Sequence, residues 1–261
     1  MGKVTVITSG KGGTGKSTVT AGLGAALVRR GNRVLVIDCD AGMRGIDLML
    51  GVSGELVFDI ADIVGGNCPP SSAIYPCKTV PELYILPAPQ NVRDKVSPYI
   101  MRQLVRVLVK YYDHILIDCM PSLGMLCINA LTAADSVIIP TQASYLSTKG
   151  LSLLLGSIAR VRRQINPALK VDGVLLTMVD QRTNNARAIT AALRATANQL
   201  PVFETEIPFS VRAAETALEG KSIYAHDAKG KVAAAYAALA KEVMAHEQQE
   251  PHRPRSDQLS R

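Results

Sequence analysis

The sequence predicts an α/β protein: a doubly wound, mainly parallel β-sheet with helices on both faces, in three αβα layers. Three observations lead to this prediction. At least six short apolar runs alternate with segments of helical periodicity. The runs are rich in Val, Ile and Leu without polar alternation, which is typical of strands buried on both faces. Two of them end in an aspartate, Asp38 and Asp118, at the strand ends where such sheets bind ligands.

The predicted elements alternate along the chain. Strands are predicted at residues 4–8, 33–38, 82–87, 114–118, 136–140, 174–178 and 202–208. Helices are predicted at 18–30, 59–64, 98–110, 147–165, 184–198 and 231–247. Apolar residues recur every three or four positions in the helical segments, as in 98–110, where positions 101, 104, 105, 108 and 109 form one face.

The length of 261 residues and the lack of a dividing linker favour one domain over residues 1–249. The last segment, 250–261, contains two prolines and no apolar face, so we expect a disordered polar tail. No run approaches 18 apolar residues, and a membrane-spanning helix is not expected.

Charge and cysteine content narrow the classes of partner and compartment. The net charge is +7, which favours an anionic partner such as nucleic acid or an acidic membrane surface; an ordinary basic protein is the alternative. The five cysteines are odd in number and contain no C-x-x-C pair. This usage predicts reduced thiols in a cytoplasmic protein, and argues against a disulfide framework or a zinc site.

A glycine-rich loop follows the first predicted strand and precedes the first predicted helix. It fits the phosphate-binding pattern G-x-x-x-x-G-K-[ST] in the strand–loop–helix context that the pattern requires. Lys16 is the predicted ligand of the β and γ phosphates, and Ser17 the predicted Mg²⁺ ligand. The candidate nucleotide-binding residues are Gly10, Lys11, Gly12, Gly13, Thr14, Gly15, Lys16, Ser17 and Thr18.

Acidic residues at two strand ends are the candidate partners of this loop. Asp38 and Asp40 follow one strand, and we expect them near the γ-phosphate of a nucleotide held by the loop. Asp118 ends another strand in the position of a carboxylate that holds the water shell of Mg²⁺. For Asp38 and Asp40 the alternative is that solvated carboxylates merely cap the strand end.

The loop also contains an early lysine, Lys11, and the pattern K-G-G-x-G-K-[ST] resembles the deviant Walker A motif of the MinD/ParA family of ATPases. The stretch from Asp38 to Leu48, D-x-D-x-G-x-R-x-x-D-L, is similar to the first switch of MinD. The stretch from Asp118, D-C-x-P-S-L-G, is more similar to the second switch of ParA. The resemblance covers nearly the whole chain to about residue 247.

The resemblance implies roles for individual residues. Lys11 would reach the nucleotide of a partner subunit, Asp40 would orient the attacking water, and Asp38 would support Mg²⁺ through its waters. Segments after the last two strands border the adenine in relatives, which makes Asp180 and Pro208 candidates for base contacts. Arg182 and Arg212 lie in contexts that resemble DNA-contacting segments of ParA; ordinary loop residues or internal salt bridges are the alternative.

The resemblance also implies an activity and partners. We expect a slow, Mg²⁺-dependent ATPase that forms a homodimer with ATP, responds to an activating protein of the MinE or ParB type, and acts in division-site placement or DNA partitioning. It would be cytoplasmic, and nucleoid-associated or peripheral to the membrane. Direct membrane binding is not supported, because the basic amphipathic helix that usually ends MinD proteins is missing, whereas non-specific DNA binding is compatible with the charge.

Two other functions use the same type of fold. One is a metabolic or cofactor-assembly ATPase. An iron–sulfur carrier would need a C-x-x-C pair, which the sequence lacks, and an amidoligase is expected to need additional substrate-binding or glutaminase regions. The other is a scaffold that does not hydrolyse ATP, against which Lys16 and the three aspartates argue.

Overall fold

The computed structural model describes residues 2–40, 45–89, 100–121, 124–196 and 200–248. The predicted tail at 250–261 lies outside these ranges, as do parts of both switch segments, at 41–44 and 122–123.

The centre of the molecule is a seven-stranded sheet in the order β3-β4-β2-β5-β1-β6-β7. Every pairing is parallel except that of β3 with β4. The strands are β1 (Lys3–Ile7), β2 (Val34–Asp38), β3 (Tyr75–Pro76), β4 (Leu83–Leu86), β5 (His114–Asp118), β6 (Ser136–Gln142) and β7 (Lys170–Thr177). The predicted doubly wound, mainly parallel sheet is confirmed.

Helices cover both faces of the sheet. They are α1 (Lys16–Val28), α2 (Gly45–Met49), α3 (Ile60–Val64), α4 (Ile100–Leu108), α5 (Met125–Ala133), α6 (Tyr145–Gln164), α7 (Asn184–Ala195), α8 (Val211–Glu219), α9 (Ile223–Asp227) and α10 (Lys231–Gln248). One apolar core joins the sheet to α3, α4, α5 and α6, and a second joins its other face to α1, α2, α9 and α10. None of the described helices is long and apolar enough to cross a membrane.

The register of the central strands brings the predicted acidic strand ends together. Asp38 at the end of β2 is paired with Asp118 at the end of β5, and Asp118 is paired on its other side with Ile7 of β1. The glycine-rich loop leaves β1 just beyond Ile7. The candidate site therefore lies at the carboxyl edge of three adjacent strands, as expected for this class of sheet.

One predicted strand is wrong. Residues 202–208 form no strand and make only two isolated bridges, Val174 with Val202 and Val179 with Pro208. Phe203 and Ile207 still donate their amides to carbonyl groups of β7. Between them, Glu204 and Thr205 donate their amides to the Glu242 carboxylate of α10, which interrupts the pairing. The short antiparallel β3 and the helices α2, α5, α8 and α9 were not predicted from the sequence.

Candidate nucleotide-binding site

The loop between β1 and α1 has a backbone suited to surrounding an anion. Gly13 and Gly15 lie in the left-handed region, with φ of +74° and +79°, which residues with side chains seldom adopt. Helix α1 begins at Lys16, directly after Gly15. The first amides of this helix have no acceptor within it and carry the positive end of the helix dipole. This arrangement of amide donors binds phosphate groups.

Side chains within the loop hold its shape. Thr14 is buried and donates its hydroxyl hydrogen to Ser9 Oγ over 2.9 Å. Ser9 in turn donates to the Lys11 carbonyl oxygen over 2.7 Å. These two hydrogen bonds join residues within the loop, and they do not use the backbone amides that a ligand needs.

Two neighbouring strands also hold the loop. Thr177, at the end of β7, donates its hydroxyl hydrogen to the Thr14 carbonyl over 2.8 Å. Gln142, at the end of β6, donates its side-chain amide to the Gly13 carbonyl over 2.8 Å. Both hydrogen bonds use carbonyl groups of the loop and none of its amides, so the amides stay available to an anion. Sequence reasoning missed both residues, since nothing near them in the chain signals contact with the loop.

The loop also packs directly against α6. A Cβ atom built on Gly10 would lie 2.0 Å from the Gly150 carbonyl oxygen, and one built on Gly150 would lie 2.7 Å from the Gly10 carbonyl oxygen. Neither position has room for a side chain. The start of the phosphate-binding loop is therefore fixed against the N-terminal part of α6.

The carboxylate of Asp118 lies under the loop. It accepts hydrogen bonds from the Ser17 hydroxyl at 2.6 Å and the Thr20 hydroxyl at 3.2 Å, both on α1. Burial raises the pKa of Asp118 to about 7, although these hydrogen bonds and Lys16 lower it. Serine hydroxyl and carboxylate together are the oxygen ligands that Mg²⁺ and its water shell use.

Asp38 is the second buried carboxylate of the site. One of its oxygens accepts the Asp40 amide at 2.8 Å, and the other is buried with no hydrogen-bond partner among the described residues. Burial, followed by repulsion from Asp118, raises the pKa of Asp38 to about 8. A buried carboxylate oxygen without a partner, next to a second carboxylate, fits a site that a cation completes.

The two loop lysines differ in their surroundings. Lys16 is 7 % exposed, and burial lowers its pKa despite the attraction of Asp118 and Asp40. Lys11 is exposed, and no described residue pairs with its ammonium group. Lys16 is thus buried in the site, whereas Lys11 is exposed to solvent.

A cleft of about 140 Å³ opens beside the loop, between Gly15 and Thr18 on one side and Pro208 on the other. Met178 lines it with a strained backbone, φ +51°, and its sulfur accepts a hydrogen bond from Gln142 over 3.1 Å. The other residues that line the cleft are largely apolar, namely Val19, Thr177, Ile207, Phe209, Ser210, Ala213, Val232 and Tyr236. Size and lining suit a flat heterocycle, because apolar pockets with few polar groups hold bases and similar rings.

The two residues expected near a base have different positions. Pro208 lines the cleft. Asp180 does not line it; Arg182 holds both of its carboxylate oxygens, at 2.9 and 2.8 Å. This local ion pair lowers the pKa of Asp180 to about 2. The sequence did not indicate Met178 as a residue of the cleft. Its position two residues before Asp180 is the feature that could have suggested it.

The two arginines considered for DNA contacts are each paired with an acid. Arg182 binds Asp180 and is 86 % exposed, and Arg212 lies 3.1 Å from Asp227 and is 68 % exposed. Internal salt bridges are therefore present at both positions. Both guanidinium groups nonetheless remain accessible to a ligand.

Comparison with known proteins finds a matching family model, related sequences and similar solved structures. Residues 2–171 match the model of a family described as an AAA domain. The chain is 37 % identical to the sporulation initiation inhibitor protein Soj of Bacillus subtilis, over 94 % of this chain and 99 % of Soj. It is 35 % identical to the chromosome partitioning protein ParA of Myxococcus xanthus, over 94 % and 88 % of the two chains.

Two solved structures are similar over nearly their full length. The septum site-determining protein MinD of Pyrococcus horikoshii, complexed with Mg-ADP, superposes with a TM-score of 0.79 at 28 % identity, covering 96 % of this chain and 100 % of that one. Cobyrinic acid a,c-diamide synthase of Mycobacterium smegmatis, with bound ADP and magnesium, gives a TM-score of 0.79 at 30 % identity, covering 95 % and 96 %. Both hold a nucleotide with magnesium, which is the ligand that the residues of the present site fit.

Proposed function

The chain belongs to the MinD/ParA family of P-loop ATPases, whose cofactors are ATP and Mg²⁺, and we propose that it is a dimerising ATPase that organises positions in the cell. The names of its relatives connect them with chromosome partitioning and with the determination of the septum site. In the proposed cycle, ATP binding closes two subunits face to face, and slow hydrolysis stimulated by a protein of the MinE or ParB type opens them.

The observation that carries this proposal is the contrast between the two lysines of one loop. Lys16 is buried next to the carboxylates of its own subunit, whereas Lys11 is exposed beside the same loop without a partner among the described residues. A cation held in solvent at a phosphate site gains most when a second subunit brings a phosphate to it.

The site residues have separate tasks in the proposed reaction. Lys16 and the loop amides bind the phosphates, and Ser17 with Asp118 and Asp38 holds the metal. Mg²⁺ neutralises charge on the phosphates when it is bound. Asp40 is half-buried beside Asp38 and holds the attacking water in line. Pro208 and Met178 enclose the base.

The decisive experiment compares two lysine variants in ATP binding and turnover. Lys16→Ala should weaken ATP binding by roughly 10-fold or more, because it removes a charge-assisted contact from a buried site. Lys11→Ala should leave ATP binding within about twofold of wild type but lower turnover by roughly 1,000-fold or more and prevent dimerisation, as loss of a cation supplied in trans does. Lys149→Ala changes another exposed lysine, next to the Gly150 that approaches the loop; it is the matched control and should change neither.

Mixed dimers test whether Lys11 acts across the interface. We expect Lys11→Ala and Asp40→Ala proteins, each inactive alone, to regain turnover when mixed. The mixed dimer then has one site with its own Asp40 and the partner's intact lysine. Normal dimerisation and turnover of Lys11→Ala alone, or no recovery in the mixture, would contradict the proposal.

A metabolic ATPase is the second candidate, and the cobyrinic acid a,c-diamide synthase neighbour favours it. The expectation that an amide-forming enzyme needs additional length is wrong for this neighbour, since the present chain covers 96 % of it. ATP turnover without any carboxylic acid acceptor distinguishes the two functions. Turnover that requires an acceptor and an ammonia source would favour the synthase; acceptor-free turnover that rises with an added macromolecular partner favours the organiser.

A further inference from the structure

Strands β6 and β7 end side by side next to the phosphate-binding loop. Gln142 and Thr177 are the last residues of these strands and are paired in the sheet register. Gln142 donates its side-chain amide to the Gly13 carbonyl over 2.8 Å. Thr177 donates its hydroxyl hydrogen to the Thr14 carbonyl, also over 2.8 Å. Two successive carbonyl groups of the loop are therefore held by one pair of strand ends.

Holding these two carbonyl groups also sets the direction of two loop amides. The described part of the chain contains no cis peptide bond, and in a trans peptide the C=O group and the following N–H group point in opposite directions. The amides of Thr14 and Gly15 therefore point away from the strand ends that bind the Gly13 and Thr14 carbonyls. Movement of either strand-end side chain would turn these amides relative to a bound phosphate.

Gln142 also contacts the cleft beside the loop, through Met178. Its amide nitrogen has two hydrogens, and it donates to the Met178 sulfur as well, with 3.1 Å between Nε2 and Sδ. Met178 lines the cleft and is 40 % exposed, whereas Gln142 does not line it. One side-chain amide thus connects a residue that a base would cover with the carbonyl group of Gly13 in the loop.

The backbone on both sides fixes the position of Met178. Its φ of +51° lies in the left-handed region, which residues with side chains seldom adopt and which persists only where neighbours hold it. Thr177 before it is paired in the sheet. Val179 after it makes two backbone hydrogen bonds with the segment 207–209, over 3.0 and 3.2 Å. A Cβ atom built on Gly15 would lie 3.3 Å from Met178 Cε, so the side chain also packs against the loop.

We propose that Gln142 is a positioning residue that couples the base cleft to the phosphate-binding loop. The proposal rests on the proposed function, in which the cleft holds the base of ATP. A base packed on Met178 restricts its sulfur, which fixes the Gln142 amide and, through it, the Gly13 carbonyl. Base and phosphates then bind cooperatively, because the ordering that one of them requires is already complete when the other is bound.

The test measures this coupling with two fragments of ATP and the full chain. Tripolyphosphate with Mg²⁺ is titrated by calorimetry in the absence of adenosine and in its presence at a saturating concentration. We expect adenosine to raise the affinity for tripolyphosphate by roughly fivefold or more. Tripolyphosphate should raise the affinity for adenosine by the same factor, since coupling between two binding sites is reciprocal.

Three variants separate coupling from a role in the loop alone. Gln142→Met keeps the length of the side chain but removes the donor. It should lower tripolyphosphate affinity roughly threefold to tenfold, the effect of one hydrogen bond, and abolish the enhancement by adenosine. Met178→Leu removes the acceptor at similar volume; it should abolish the enhancement but keep tripolyphosphate affinity within about twofold of wild type. Thr177→Val removes the other contact with the loop; it should lower tripolyphosphate affinity but keep the enhancement.

The coupling is overturned if adenosine gives no enhancement in wild type, or if either Gln142→Met or Met178→Leu keeps the full enhancement. Loss of the enhancement in Thr177→Val as well would assign the effect to loop stability and also overturn it. If Gln142→Met does not fold, Met178→Leu still decides the question, because it leaves the hydrogen bond to Gly13 in place. If the protein binds ATP but neither hydrolyses it nor dimerises, the proposed function fails, while the fragment titrations still decide the coupling.

Discussion

At the scale of single residues, Asp38 connects stability to function. Its buried carboxyl has a pKa of about 8, whereas an aspartate in the unfolded chain titrates near 3.8. Between these values the folded protein holds a proton that the unfolded chain has lost, so stability without Mg²⁺ should fall as the pH rises from about 4 to about 8. Asp118, with a pKa of about 7, acts in the same direction.

Asp38→Asn should therefore stabilise the protein and abolish turnover. The substitution removes the cost of ionising a buried carboxyl, so the gain should be larger at pH 8 than at pH 5.5, by up to about 1.4 kcal/mol for each pH unit. Thermal unfolding in Mg²⁺-free buffer at the two pH values measures it. A variant less stable than wild type at pH 8 would contradict the assignment of Asp38 as a buried carboxylate whose charge a metal ion would balance.

Asp40 has a different predicted role from its neighbour. If it holds the attacking water, Asp40→Ala should keep ATP affinity, lower turnover by roughly 100-fold, and accumulate an ATP-bound dimer. Size-exclusion chromatography with ATP and Mg²⁺ measures the dimer. A loss of ATP affinity similar to that of Lys16→Ala would instead assign Asp40 to nucleotide binding.

At the scale of elements, the contact between the phosphate loop and α6 predicts opposite effects for two glycines of one helix. Gly150→Ala places a Cβ 2.7 Å from the Gly10 carbonyl, so either α6 or the loop must move. We expect a loss of roughly 1–3 kcal/mol in stability and at least 10-fold in ATP affinity. Isothermal titration and thermal unfolding measure the two effects.

Gly156→Ala is the matched control on α6. A Cβ there has no atom within 4 Å, and removing a glycine from a helix interior should raise stability by about 0.5–1 kcal/mol without changing ATP affinity. Equal effects of the two substitutions would mean that α6 does not position the loop.

Comparison of the predicted and observed elements shows which information the sequence contains. The phosphate loop could be predicted because its shape depends on glycines within it, and the acidic strand ends because parallel strands end at one edge. Contacts of Thr177, Gln142 and Gly150 with the loop could not be predicted, since they depend on how distant elements pack.

The strand predicted at 202–208 is wrong for the same reason, because the Glu242 carboxylate of α10 accepts hydrogen bonds from two of its amides. Asp180 does not line the cleft, and its carboxylate is bound by Arg182, two residues further along the chain.

At the scale of the whole molecule, the question is where an anionic partner binds a protein with a net charge of +7. Arg182 and Arg212 are exposed but each already holds an aspartate, so a phosphate must compete with that carboxylate. Exposed ion pairs are weak, because water and salt screen the attraction between the two charges. A polyanion such as DNA can therefore displace them, particularly when a dimer presents two copies of each arginine on one surface.

We accordingly predict ATP-dependent binding to random-sequence duplex DNA that weakens steeply with salt, with a log–log slope of roughly −0.9 per phosphate contact. Arg182→Ala/Arg212→Ala should make the slope shallower by roughly 0.9 for each phosphate that an arginine would neutralise, up to about four per dimer. Arg160→Ala/Arg163→Ala removes the same charge from exposed positions of α6 and should leave the slope unchanged. Fluorescence anisotropy at several salt concentrations, with ATP and with ADP, measures it. A slope altered only by the α6 variant would move the DNA surface to that helix, and no ATP-dependent binding at low salt would contradict a DNA-binding role.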